Sequence, residues 1–204
     1  MRVLFISHQS ALGGAERSLL ELLEGLRGRG VQLMLACPVP GPLAEAATGL
    51  GVRVFPLKLC QLRRHQKWVS WVSFLFRWVR VTLRLVRIIL VERVDLVHTN
   101  NSLAQVWSWP AIRISNRPFV WHWRDFYDFP KLNRSLATGR GMCVAVSRSV
   151  LDFAKRQVGA SASVVLVPNG VMPLSTLPCS ESVMHWRREK IGRASCRERV
   201  YVLV

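Results

Sequence analysis

Seven short apolar runs, separated by turns and helical patterns, constrain this chain more than any other feature. They occupy residues 3–6, 31–36, 52–57, 94–99, 118–121, 142–146 and 164–167. Short, largely apolar runs of this kind suit strands that are covered on both sides. The first helical pattern follows the first run and places Leu19, Leu22, Leu23 and Leu26 on one face at i, i+3, i+4, i+7 spacing. Residues 43–50, 102–114 and 147–157 read as further helices, with Pro110 expected to kink or end the one over 102–114. Residues 126–140 read as irregular. Strand–helix alternation of this kind predicts an α/β fold: a Rossmann-like parallel sheet with helices on both faces.

In open sheets of that class, ligands bind outside the carboxyl ends of the strands. Those ends carry His8, Gln9 and Ser10; His98, Thr99, Asn100 and Asn101; His122, Arg124 and Asp125; Ser147 and Arg148; and Asn169. Ser7, Ser147 and Asn169 taken singly are ordinary helix caps or turn formers. Three of the five histidines at strand ends are harder to assign to structure alone, and the loops together read as one polar rim. Gly13 and Gly14 lie between the first strand and its helix. A glycine turn there lets backbone approach a ligand, and exposed amides at the helix start favour an anionic group such as phosphate. Glu16 falls in the first helical turn, where a carboxylate suits the helix dipole.

The net charge of +17 on 204 residues points to an anionic partner: a membrane surface, a nucleic acid or a phosphorylated substrate. Residues 62–93 concentrate it, with eight Lys or Arg against one Glu. Arg77, Arg80, Arg84 and Arg87 share one helical stripe, among Trp68, Trp71, Phe74, Phe76, Trp78 and Leu83. The longest uncharged run is too short to span a bilayer. Two readings stand: a long helix packed on the sheet with a solvated Arg stripe, or an interfacial helix with aromatics at headgroup level and Arg on anionic lipid. Nucleic-acid binding is disfavoured, because no helix-turn-helix, zinc spacing or RNP-like strand is present. Five cysteines without a CxxC pair or a Cys/His cluster predict no metal site and a reduced, cytoplasmic chain. The run over 3–6 is too short for a signal-peptide core.

The segments LGGAE (12–16), VDLVHTNN (94–101), RPFVWHWRDF (117–126), CVAVSRSV (143–150) and VVLVPNGV (164–171), in that order, carry a family resemblance. Together they are similar to the N-terminal domain of a retaining GT-B glycosyltransferase of family 4. The resemblance implies two Rossmann-like domains facing across a cleft, the N-terminal one for the acceptor and the C-terminal one for a nucleotide-sugar. It implies that Gly13 and Gly14 lie against the donor phosphates and sugar. It also implies that His122 sits beside the reacting sugar as a catalytic residue, with Arg124 and Asp125 on the same loop. The acceptor side of the cleft then takes in His8, His98, Asn100, Arg124, Asp125, Ser147, Arg148 and Asn169. No cofactor is expected, since the nucleotide-sugar is a substrate, and no metal. The acceptor would be a glycan or lipid-linked precursor, reached by a cytoplasmic enzyme at the inner face of the membrane.

The segment IGRASCRERV (191–200) matches, without a mismatch, the translation of a common sequencing-adapter strand. Residues 190–204 are therefore expected to be non-native, 172–189 a linker toward a missing donor-binding domain, and 1–171 the Rossmann-like acceptor-side domain, inactive alone. Removing 191–204 takes away three Arg and one Glu and leaves the chain strongly basic. A competing reading is a stand-alone Rossmann-like module that binds anionic membrane surfaces. A dinucleotide enzyme is disfavoured, because the first turn lacks G-x-G-x-x-G and no acidic residue ends the second strand.

Overall fold

The computed structural model describes residues 1–59, 68–159 and 162–170, except for the side chains of 68–72 and 74. The linker and adapter expectations fall outside the described residues. Met1–Val171 forms one compact unit. It alternates strand and helix: β1 (Arg2–Ile6), α1 (Gly14–Leu26), β2 (Gln32–Cys37), α2 (Pro42–Gly49), β3 (Arg53–Pro56), α3 (Trp68–Val91), β4 (Leu96–Thr99), α4 (Ser102–Ser115), β5 (Phe119–Trp123), α5 (Pro130–Leu136), β6 (Gly141–Ala145), α6 (Arg148–Val158) and β7 (Val164–Leu166). The sheet runs β3-β2-β1-β4-β5-β6-β7, and every neighbouring pair is parallel.

Parallel pairing forces each connection back across a face of the sheet, so both faces are buried, as the apolar runs predict. One face packs Val3, Phe5, Leu35 and Cys37 against Leu19 and Leu23 of α1 and Leu43 and Ala47 of α2. The other, larger core packs Leu4, Ile6, Val97, Trp121, Trp123 and Ala145 against α3, α4 and α6. Trp121 and Trp123, two residues apart on β5, stack with ring centroids 4.0 Å apart and planes 15° from parallel. Cys37 and Cys143 are buried free thiols, each raised by burial, to about 11 and about 12.

One sequence expectation is narrowed and two are corrected. Pro110 does not end α4, which continues to Ser115. The ring removes one amide, but Trp107, Ala111 and Ile112 are buried on either side of it and hold the helix to the core. Asn116 then closes α4 in the left-handed conformation, at φ 49°. The stretch over 126–140 is not wholly irregular, because Pro130–Leu136 forms α5. At seven residues it is too short to show a periodicity. Tertiary bonds hold it: the Asn133 amide donates to Tyr127 O at 2.6 Å and to Gln157 Oε1 at 2.9 Å. Finally, β5 runs to Trp123, so His122 lies inside the strand rather than in the loop after it. Pairing with β6 continues through His122↔Val144 and Trp123↔Ala145. A histidine within a buried strand reads as a strand end from sequence.

Candidate functional site

The sheet order reverses between β1 and β4, and the crevice at such a switch point is where open α/β sheets take ligands. Four helices begin at this carboxyl edge directly after their strands, and their first turns are finished differently. Asn101 caps α4, its Oδ1 accepting from Ala104 N at 2.8 Å, and Ser147 caps α6 by accepting from Val150 N at 3.3 Å. The start of α2 is closed by backbone, with Leu43 N donating to Ser10 O at 3.0 Å. Gly41 at that point admits no side chain, since a Cβ would come within 2.4 Å of Ser10 Cβ. By contrast, α1 begins at Gly13 with no side-chain cap. Its first-turn amides therefore have no side-chain acceptor of their own, the arrangement that suits an anionic group.

The two glycines of that turn differ. A Cβ on Gly13 would lie 2.9 Å from Glu16 Oε2, whereas one on Gly14 would meet nothing within 4 Å. Glu16 is buried, and its Oε1 accepts from Ser7 Oγ at 3.3 Å. Gly13→Ala must therefore displace a held carboxylate, and is expected to cost about 1–2 kcal/mol. Gly14→Val is expected to leave the urea midpoint close to that of the parent chain while filling the space in front of α1. Denaturation of both variants checks this.

On the α1 face of the sheet, Phe5, His98 and His122 form a row. The His98 ring lies 4.9 Å from Phe5 and 5.5 Å, edge to face, from His122. Beyond them Arg124 joins β5 to the segment that follows β7: Nη1 donates to Asn169 Oδ1 at 2.7 Å and Nη2 to His122 Nδ1 at 3.2 Å. Ser18 of α1 also donates to Asn169 Oδ1, at 3.0 Å, tying α1 to the end of β7. A guanidinium only donates, so Nδ1 of His122 must accept and the ring proton sits on Nε2. That Nε2 is buried without a partner among the described residues, as are His98 Nδ1, Asn100 Oδ1 and Arg124 Nε. Such atoms are costly to leave unpaired and concentrate where a ligand supplies the partner.

The electrostatics agree with a neutral imidazole. Burial, then the Arg124 charge, pull His122 down to about 3. Burial, His122 and Arg124 do the same to His98, also to about 3. Burial lowers Arg124 to about 10 against the carboxylates of Glu16 and Glu21, and it remains a cation at neutral pH. Both histidines are neutral in the folded chain, while the unfolded chain binds protons below about 6.5. Stability is therefore level above that pH and falls as pH drops toward 3, by up to about 1.4 kcal/mol per unit for each histidine. Urea midpoints at pH 7 and pH 5 should show the drop, and His98→Gln should remove about half of it.

The other expected rim residues take distinct places. His8 accepts at Nδ1 from Asn101 Nδ2, whose orientation is set because Oδ1 of the same amide caps α4; burial lowers its pKa despite nearby Glu16 and Asp125. Asp125 accepts from Ser102 Oγ at the start of α4. Asn100 is fully buried and donates to Ala15 O at 3.2 Å, so it positions the start of α1 rather than lining an open surface. Ser147 is a cap and Arg148 an exposed first residue of α6. His8, Gly13, Gly14, Arg124, Asp125 and Asn169 thus share the carboxyl edge, with His122 and His98 beneath. Glu16, Ser18 and Asn101 matter more than their sequence context suggests. Asn101 reads from sequence as one more rim residue at a strand end; the S/T/N-before-helix pattern is the signal that marks it as the cap of α4. Among the described residues, no group of three His, Cys, Asp or Glu is placed to hold a metal ion.

This is a doubly wound α/β domain whose switch-point edge gathers polar side chains and the Arg124 guanidinium beside a helix start without a side-chain cap. Residues 12–173 match the profile of Glycosyltransferase Family 4, and the chain belongs to that family. No curated protein matches it in sequence. Solved structures share the fold. Anabaena HepE in complex with UDP-glucose is 17% identical at a TM-score of 0.66, over 94% of this chain and 50% of that one. A glycosyltransferase from Rickettsia africae ESF-5 is 20% identical at a TM-score of 0.66, over 96% and 50%. The lipopolysaccharide outer core galactosyltransferase WaaB, in its apo form, is 11% identical at 0.62, over 87% and 48%. The chain spans about half the length of these structures.

Proposed function

We propose that this chain forms the acceptor-side face of a retaining glycosyltransferase, which moves a sugar, of hexose type, from a nucleotide-sugar donor to a glycan or lipid-linked hydroxyl. The reading rests above all on His122, an imidazole kept neutral by burial and by Arg124, on the sheet face that α1 covers. HepE, which shares the fold, is described with UDP-glucose bound. In the proposed reaction the bond between the anomeric carbon and the phosphate oxygen breaks, and the diphosphate leaves with the electron pair. The acceptor oxygen bonds to the same carbon on the same face, and its proton passes to the departing diphosphate oxygen.

The leaving group gains negative charge as that bond breaks. Arg124 and the first-turn amides of α1 provide positive potential at fixed positions, which lowers the barrier without reorganisation. His122 offers an N–H at Nε2 to a sugar hydroxyl. With its proton already there and its pKa near 3, it orients the sugar and does not take up the acceptor's proton. The reaction as proposed calls on no cofactor and no metal.

The test is transfer by the whole gene product from a panel of nucleotide-sugars, with the product anomer read by NMR. Retained configuration is expected; inversion, or no transfer from any donor, sinks the proposal. The 204-residue chain alone is expected to be inactive, since it presents one wall of the cleft. In the whole enzyme, Gly14→Val should raise KM for the donor at least about tenfold, through steric exclusion at α1.

A further inference from the structure

One side of α3 turns Val81, Leu85, Ile88 and Ile89 into the core. The opposite side is exposed and carries two parallel stripes. At about 100° per residue, Phe76, Val79, Leu83 and Leu90 fall in one sector about 60° wide. Arg77, Arg80, Arg84 and Arg87 fill the adjoining sector, about 80° wide. These apolar side chains are not marginally exposed: Phe76 is 64% and Leu83 63% accessible. The stripes are interlocked, with the Arg80 guanidinium 5.8 Å from the Phe76 ring centroid. Two grooves of about 680 and 610 Å³ run alongside, between α3 and the β3 edge, and add Leu57, Lys58 and Phe55. The acidic residue lining them, Glu92, is held by Arg53 at 2.7 Å.

We infer that this face of α3 seats on an anionic phospholipid surface, with the apolar stripe below the headgroups and the arginines at phosphate level. A solvated helix face has no use for a continuous Phe–Val–Leu–Leu stripe, and an acidic polymer would be served by the arginines alone. Side-by-side apolar and cationic stripes match the layering of a bilayer interface. No helix among the described residues is long and apolar enough to cross a membrane, and the arginines lie along the helix rather than beyond its ends. The inference goes beyond sugar transfer and stands without it. It also has a geometric consequence. With 24 residues α3 is about 36 Å long, far longer than the strands, and Phe76 and Arg77 lie level with Leu57 and Lys58 at the end of β3. The helix start therefore rises past the carboxyl edge, on the same end of the sheet as His122.

The test is sedimentation of the full chain with phosphatidylcholine vesicles, with and without about one-third phosphatidylglycerol, at about 0.15 M salt. Binding is expected only with the anionic lipid. It should fall at least about tenfold in Arg80→Glu/Arg84→Glu, and also in Leu83→Ser, which keeps every charge. All three positions are exposed, and circular dichroism confirms folding; Arg77→Glu/Arg87→Glu is a second charge-reversal pair. Equal binding to neutral vesicles, or binding untouched by charge reversal, as contact through the basic tail would give, overturns the inference. Indifference to Leu83→Ser overturns the seating of the apolar stripe. A lipid-free dimer that Leu83→Ser dissociates assigns the face to a second copy instead.

Discussion

Replacing Trp123 by alanine is expected to lower the unfolding free energy by about 3–5 kcal/mol, a large share of what a domain this size possesses. Trp123 is fully buried, stacked on Trp121 and edge to face with Phe153 of α6 at 6.3 Å. Its removal leaves a void bordered by β5 and α6, two elements that collapse toward each other only by breaking the β5–β6 pairing. The indole Nε1 has no partner among the described residues, so Trp123→Phe forfeits no hydrogen bond and should cost distinctly less than the alanine. Urea denaturation followed by circular dichroism separates the two. A loss below about 1 kcal/mol for the alanine would mean that the stack is not what joins α6 to the sheet.

His122→Ala in the whole enzyme is expected to lower kcat by about 10²–10³-fold, the loss typical of removing one fixed donor to a reacting group. KM for the donor should change far less. The choice between hydrogen-bond donor and proton carrier is made by His122→Gln. A glutamine amide donates at a comparable reach but cannot shuttle a proton, so it should recover a substantial part of the activity. Arg124→Ala should release Nδ1 and allow the ring to titrate nearer its ordinary value. That change is visible in the imidazole nitrogen shifts without any turnover. A Gln variant as poor as the alanine, with a kcat profile that titrates with His122, would restore the proton-carrier role.

The sheet, its parallel sense and its two helical layers were legible in the sequence because buried parallel strands must be apolar and helices must repeat every 3.6 residues. The edge of the sheet that carries the site followed from the same alternation, since each strand must end where its helix begins. The stripe on α3 was likewise written in the spacing of Arg77, Arg80, Arg84 and Arg87. What the pattern misjudged was local and held by distant partners. α5 depends on Gln157 of α6, twenty-four positions from Asn133 and invisible to a window of neighbours. Pro110 sits in a helix that the core keeps intact.

Sequence by itself determined the α/β class, the strand sites, the polar rim and the side of α3 that stays basic. These follow from periodicity and from backbone chemistry, which act over a few residues. Only the tertiary structure decided which members of that rim act together. Arg124 meets Asn169 forty-five positions away, and Asn169 meets Ser18 across most of the chain. Through its contact with Arg124, a histidine that sequence offers only as a catalytic residue becomes a neutral imidazole with its proton on Nε2. Its protonation state is set by burial and by a neighbouring guanidinium, and both exist only once the strands lie side by side.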